Sequence, residues 1–191
     1  MSQEQISLQS NDVLMVVDIQ NDFCPGGALP IPRGDEVVPV ANFWILAAQE
    51  RRIPVYCSRD FHPREHPSFQ EQGGSWPPHC IQETWGAEFH PDLNVPESAR
   101  IVTKGVRFDK DQNSVFEETG LAHRLERDGT GRLIVLGLAL DVCVRASVLD
   151  GLGSGFEVSV ILDGCRAVTE ESGNNTIREL ERAGANCISG A

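Results

Sequence analysis

Leu133-Ile-Val-Leu-Gly-Leu-Ala-Leu-Asp-Val-Cys143-Val-Arg-Ala-Ser-Val-Leu149 decides how the chain folds. Leu133 to Leu136 is a continuous apolar run and reads as a buried strand, which Gly137 breaks. From Cys143 onward the apolar residues fall at Val144, Val148 and Leu152, the spacing of a helix. A cysteine therefore stands where a buried strand gives way to a helix. Ligands of open α/β sheets bind beyond the carboxyl ends of the strands. A helix N-terminus also presents free N–H groups and a positive dipole end, which favour a thiolate. Cys143 is thus a candidate nucleophile. The competing role is that of a small buried hydrophobe, which free cysteine often fills.

The same alternation recurs on both sides of this stretch. Val13-Leu-Met-Val-Val17 is an apolar run that ends at Asp18, and residues 20–27 are loop chemistry. Residues 35–52 place Val37, Val38, Ala41, Trp44, Ile45 and Ala48 on one helical face. Ile53-Pro-Val-Tyr-Cys57 predicts a second strand, with Pro54 near its start. Ile101-Val-Thr103 predicts a short strand leading to Lys104, and residues 114–127 a helix that Gly120 weakens. Val158 to Leu162 predicts a strand ending at Asp163-Gly. Thr169 is a candidate N-cap, with Glu170 and Glu171 in the first turn, and Gly184 marks the stop of that helix. Asn186-Cys-Ile188 is a candidate edge strand.

Strands and helices alternate, and the strands are mostly continuous apolar runs. That pattern predicts an α/β fold: one domain over 1–191, three layers α/β/α, with a mostly parallel, doubly wound sheet. A polar tail is expected over 1–11. A long irregular segment is expected over 58–100, and segments of that length within a small domain are usually functional. It holds His62, His66, His79 and His90, four of the five histidines, which makes it the place to look for metal and substrate binding.

Composition narrows the function classes. With 191 residues the chain can build one α/β core but not two. A net charge of −12, with no Lys/Arg stripe, argues against nucleic acid or an anionic membrane as partner. No apolar run approaches the ~20 residues needed to cross a bilayer, and the first residues are polar rather than signal-like. The six cysteines (Cys24, Cys57, Cys80, Cys143, Cys165 and Cys187) show no C-x-x-C spacing. The expectation is a cytoplasmic protein with reduced thiols and no cysteine-rich zinc site. A homo-oligomer is left open.

Two constellations carry chemistry. Asp18, Lys104 and Cys143 each follow an apolar strand, so a parallel sheet brings them to one edge. A thiol needs a base, which Asp18 supplies; Lys104 adds a positive charge that lowers neighbouring pKa values. Backbone N–H groups between Leu138 and Cys143 are placed to hold an oxyanion. Asp60 and His62, with His66 and His79, offer oxygen and nitrogen ligands. Two imidazoles and a carboxylate with open positions suit Zn²⁺, Fe²⁺ or Mn²⁺. Spacing alone identifies no tight local motif here, and polar loops also carry His and Asp in solvent.

Val16-Val-Asp18-Ile-Gln-Asn-Asp-Phe23, Asp60-Phe-His62-Pro, Ser75-Trp-Pro-Pro-His79-Cys80, Lys104-Gly and Gly137-Leu-Ala-Leu-Asp-Val-Cys143-Val together resemble the motif series of the nicotinamidases (pyrazinamidases), a branch of the isochorismatase-like cysteine hydrolases. The resemblance runs from about Val13 to Ala185. It implies a small-molecule amide substrate, with Cys143 attacking the amide carbon of nicotinamide to form a thioester. It further implies Asp18 as general base and acid, and Lys104 as support of the ionised state. Asp60, His62 and His79 would hold a divalent metal, Zn²⁺ first, that receives the pyridine nitrogen. The N–H groups of Ala139 and Cys143 would form the oxyanion hole, with a cis peptide at Leu138–Ala139. Phe23, Trp76 and Leu138 would contact the substrate, and His66 would be a further ligand in some members. Leu140, Val142 and Asn113 depart from the family pattern; Asn113 stands where many members have a pocket tyrosine. A related amidase acting on another small amide or carbamoyl compound, and a binding protein that has lost catalysis, are the alternatives.

Overall fold

The computed structural model describes residues 6–189, so only residues 6–11 of the expected tail fall within it. Six parallel strands form one sheet: β1 (Asp12–Val17), β2 (Val55–Asp60), β3 (Arg100–Lys104), β4 (Arg132–Leu138), β5 (Glu157–Arg166) and β6 (Asn186–Ile188), in the order β3-β2-β1-β4-β5-β6. Four helices connect them: α1 (Val37–Glu50), α2 (Leu121–Arg127), α3 (Arg145–Gly153) and α4 (Glu170–Ala183). From β1 the chain winds outward through β2 to β3, then crosses back to β4 and winds the other way to β6. With right-handed crossovers, that reversal puts α1 on one face of the sheet and α2, α3 and α4 on the other. The three-layer, doubly wound architecture is thus as the sequence predicts. The reversal lies between β1 and β4, where such sheets open a crevice at their carboxyl edge.

β1 and β4 are central, and their apolar runs are buried throughout, from Val13 to Val17 and from Leu133 to Leu136. α4 begins as expected. Thr169 Oγ1 accepts the Ser172 N–H, Ser172 Oγ accepts the Thr169 N–H, and Gly184 ends the helix.

Four boundaries differ from the sequence reading. A 3₁₀ turn over Gly34–Glu36 precedes α1, so the helix starts at Val37 and ends at Glu50. β2 does not stop at Cys57; pairing with β3 carries it to Asp60, opposite Lys104. The irregular segment is accordingly 61–99 rather than 58–100. Residues 114–120 are turns rather than helix: Glu118 at φ +56° and Gly120 at φ +73° break a right-handed helical path, leaving α2 only seven residues. β5 runs past Asp163-Gly to Arg166, taking up the extra residues in a bulge against β4 between Val135 and Gly137.

Gly137 sits at that bulge with φ +134°, and a Cβ there would fall on the backbone of Val17. Strain and overlap add, so Gly137→Ala is expected to destabilise the fold by roughly 2–4 kcal/mol. A urea midpoint unchanged from wild type would refute this.

Candidate active site

Beyond β4 the chain passes through a cis peptide at Leu138–Ala139 into a π-helical turn over Leu140–Val144, from which α3 continues. The Ala139 carbonyl accepts the N–H groups of both Val142 and Val144, at 3.1 Å each. Cys143 therefore lies within this turn rather than directly at the strand end, and π turns of this kind concentrate at functional sites. Asp141 ties the turn down: Oδ1 accepts the Val168 N–H at 2.9 Å, and Oδ2 accepts the Ser172 hydroxyl.

Lys104, the last residue of β3, is completely buried. Its Nζ lies 2.8 Å from Asp18 Oδ2, 2.5 Å from Asp60 Oδ1 and 3.4 Å from Cys143 Sγ. One ammonium thus serves two buried carboxylates and a thiol. Burial works against its charge, yet Asp18 and Asp60 outweigh that and raise Lys104 well above its ordinary pKa. The carboxylates divide unequally. Burial opposes the charge of Asp60 too, but Lys104 and His62 hold it far below the usual carboxylate range. Burial raises Asp18, against the pull of Lys104 and with a push from Asp60. Of the two, Asp18 is the carboxylate suited to take up a proton.

Cys143 itself is 5 % exposed. Burial pushes its thiol well above the ordinary value, and Lys104 draws it back only in part. Burial thus opposes the thiolate that a helix N-terminus favours. Desolvation works against the dipole, and a neighbouring base that takes the proton favours ionisation.

Asp60, His62 and His79 present one ligand atom each, all within 4.8 Å of one another. His62 and His79 are far apart in the chain but meet because residues 80–82 run alongside His62: its N–H donates to the Cys80 carbonyl, and the Gln82 N–H to the His62 carbonyl. Both rings are oriented by carbonyls. His62 Nδ1 lies 2.8 Å from the Gly105 oxygen, and His79 Nδ1 2.8 Å from the Pro77 oxygen. A carbonyl only accepts, so each Nδ1 carries a hydrogen, which in the neutral ring leaves Nε2 as the ligand atom, the tautomer of a metal-ligating histidine. Gly105, at φ +68°, lets the chain pass this close, since a Cβ there would strike the His62 ring. Phe69, fully buried, packs its ring against His62, His66 and His79. His66 stacks on His62 at 4.1 Å between centroids, outside the triad, and its buried Nε2 has no partner among the described residues. Burial pushes His66 down to about 4 and lowers His79, whereas at His62 burial is outweighed by Asp60, which raises that ring. This donor set fits a divalent cation.

One cavity joins the two constellations. Cys143 and Ala139 line it together with Asp60, His62 and His79, and the rings of Phe23 and Trp76 form part of its walls. Leu138 does not line it; it is fully buried, with its side chain near Gly34. Val142 faces the cavity, whereas Leu140 is turned toward Gly173 of α4. Asp111 and Asn113 complete the lining on the polar side, with Leu29, Ile31 and Val168 on the apolar one.

The sequence reading missed three polar residues behind this lining. Gln20, fully buried, accepts the Asp60 N–H through Oε1 and donates Nε2–H to the Asp60 carbonyl, both at 2.8 Å. Asp22 accepts the N–H groups of Cys80 at 2.7 Å and Ala28 at 2.9 Å, joining the segment after His79 to the loop that carries Leu29 and Ile31. Ser58 donates to Asp18 Oδ1 at 2.7 Å. The signal available was a run of polar residues, Gln20 to Asp22, just after a buried strand. His123 is exposed and belongs to neither constellation.

Comparison with known proteins gives the same architecture. Residues 12–191 match the isochorismatase domain family. The chain is 40 % identical to the nicotinamidase of Escherichia coli (strain K12), over 90 % of this chain and 92 % of that one. It superposes on the pyrazinamidase of Pyrococcus horikoshii, solved in complex with zinc, with a TM-score of 0.91, 40 % identity and coverage of 94 % and 99 % of the two chains. The PnC1 structure from L. infantum, solved in complex with nicotinate, gives a TM-score of 0.89 at 32 % identity, covering 96 % of each chain. A strand order that reverses between β1 and β4, a buried cysteine turn beyond β4, and a match over nearly the whole length lead to one assignment: the chain belongs to the isochorismatase family.

Proposed function

We propose that this protein is a nicotinamidase, hydrolysing nicotinamide and pyrazinamide-like analogues to the carboxylic acid and ammonia. The observation that carries the reading is that Asp60 belongs to both constellations. Its carboxylate reaches Lys104 on one side and the two imidazoles on the other, so a nucleophile and a ring-nitrogen site share one cavity.

In this reading Asp18 takes the Cys143 proton, and the sulfur attacks the amide carbon. The N–H groups of Ala139 and Cys143 hold the oxygen that becomes negative. Asp18 then gives its proton to the amide nitrogen, ammonia leaves and a thioester remains. Asp18 next takes a proton from water, which attacks the thioester, and returns it to the sulfur as the acid leaves. Lys104 stays protonated throughout and keeps the neighbouring carboxylates ionisable. Phe23 and Trp76 flank the substrate ring, and Leu138 supports the wall from behind. Asp60, His62 and His79 hold a divalent metal, which when bound supplies an electron-pair acceptor for the ring nitrogen. The donor set admits Zn²⁺, Fe²⁺ or Mn²⁺, and the zinc of the Pyrococcus horikoshii relative supports Zn²⁺. Residues 61–99 act as the metal- and substrate-binding insertion. No described helix is long and apolar enough to cross a membrane, and a cytoplasmic location is consistent with a soluble salvage substrate.

The test is ammonia release by the purified metal-loaded protein from nicotinamide, pyrazinamide and benzamide, which lacks a ring nitrogen. Nicotinamide and pyrazinamide are expected to turn over, with kcat/KM for benzamide lower by roughly 10²-fold or more. Equal turnover of benzamide would refute the ring-nitrogen site. No turnover of nicotinamide would refute the assignment.

A further inference from the structure

Ser58 holds Asp18 by both its backbone and its side chain. Its carbonyl accepts the Asp18 N–H at 3.2 Å, and its hydroxyl donates to Asp18 Oδ1 at 2.7 Å. Ser58 and Asp18 are both completely buried, so no water competes for either bond. Asp18 lies just past β1 at φ +47°, where the strand no longer dictates its direction. Its Oδ2 accepts no aligned hydrogen bond among the described residues, although Lys104 Nζ is 2.8 Å away. Lys104 Nζ is also 3.4 Å from Cys143 Sγ, and a carboxylate oxygen of Asp18 lies within 4.8 Å of that sulfur.

From this geometry we infer that Ser58 is a positioning residue that assigns the two oxygens of Asp18 their roles: Oδ1 is occupied by the hydroxyl, and Oδ2 is left to exchange the proton with Cys143. Without the hydroxyl, Oδ1 becomes a buried acceptor with no donor. The carboxylate then turns to share both oxygens with Lys104, and neither faces the sulfur. The effect falls on the proton transfer and not on the ring-binding side of the cavity, which Ser58 does not line. The inference rests on the reading of Asp18 as the base.

The experiment uses the metal-loaded protein with Ser58→Ala, Ser58→Thr, Asp18→Asn and the Asp18→Asn/Ser58→Ala double variant. It reads kcat and KM for nicotinamide, metal content, and the rate at which iodoacetamide alkylates Cys143. Ser58→Ala is expected to lower kcat about 10- to 100-fold, with KM and metal content unchanged. Ser58→Thr, which keeps the hydroxyl, is expected to recover most of that loss. Ser58→Ala slows Cys143 alkylation in the wild-type background and has no further effect in the Asp18→Asn background. A wild-type kcat for Ser58→Ala, an equal loss in Ser58→Thr, or an undiminished Ser58→Ala effect on alkylation in the double variant overturns the inference. Full activity in Asp18→Asn overturns the underlying reading of Asp18, and is distinguished by that variant alone.

Discussion

Cys143→Ala is expected to lower ammonia release from nicotinamide by about 10⁴- to 10⁶-fold, the scale on which removal of a covalent nucleophile acts in hydrolases. No other sulfur can take its place. Among the cavity-lining residues Cys143 is the one cysteine, and the Cys80 thiol is directed at the Gly86 carbonyl. The exchange removes only a sulfur from a buried turn whose path is held by the Ala139 carbonyl and by Asp141. The fold and the metal set should therefore survive, and nicotinamide should still bind. Equilibrium binding to Cys143→Ala, measured beside its turnover, checks both halves. Turnover within tenfold of wild type would show that the sulfur is not the attacking atom.

Lys104→Met is expected to fail in a different way, losing stability together with activity. Lys104 separates two buried carboxylates. A methionine fills its volume but leaves two like charges facing each other out of water. Breaking a buried ion pair from one side costs about 3–5 kcal/mol. The protein relieves that cost by protonating Asp18, which burial already raises, and a protonated Asp18 cannot take the cysteine proton. kcat should accordingly fall by roughly 10³-fold or more, even where the variant remains folded. Chemical denaturation and kcat measured on one preparation separate the two effects. A variant with wild-type stability would mean that the carboxylates are not both charged in the native protein.

The parts of the molecule that were legible in the sequence are those written as local pattern. Continuous apolar runs alternating with one-face helical spacing yield the parallel sheet. Position at a strand end picks out Asp18, Lys104 and Cys143. What stayed hidden depends on pairing across the chain. Ser58 and Gln20 are unremarkable polar residues until β1 and β2 lie side by side, when each meets a partner 40 positions away. Residues 114–120 carry helical spacing, yet Glu118 and Gly120 take left-handed conformations that end it. The burial of Cys143 stayed hidden for a related reason. A helix terminus can be read from sequence, but the depth at which the thiol is buried cannot.

The placement of Ser58, Asp60 and His62 has a consequence for how this site can vary. They stand at alternate positions along one extended run: Ser58 and Asp60 lie in β2, and His62 continues the line beside Ile81. Extended chain turns successive side chains to opposite sides. A single residue inserted or deleted between Val55 and His62 would shift the register and send part of this set to the wrong face. Changes of length in the loops on either side leave it intact. The surroundings of the cavity are therefore free to lengthen and shorten in related sequences, while the spacing x-Ser-x-Asp-x-His is held to the residue by geometry alone.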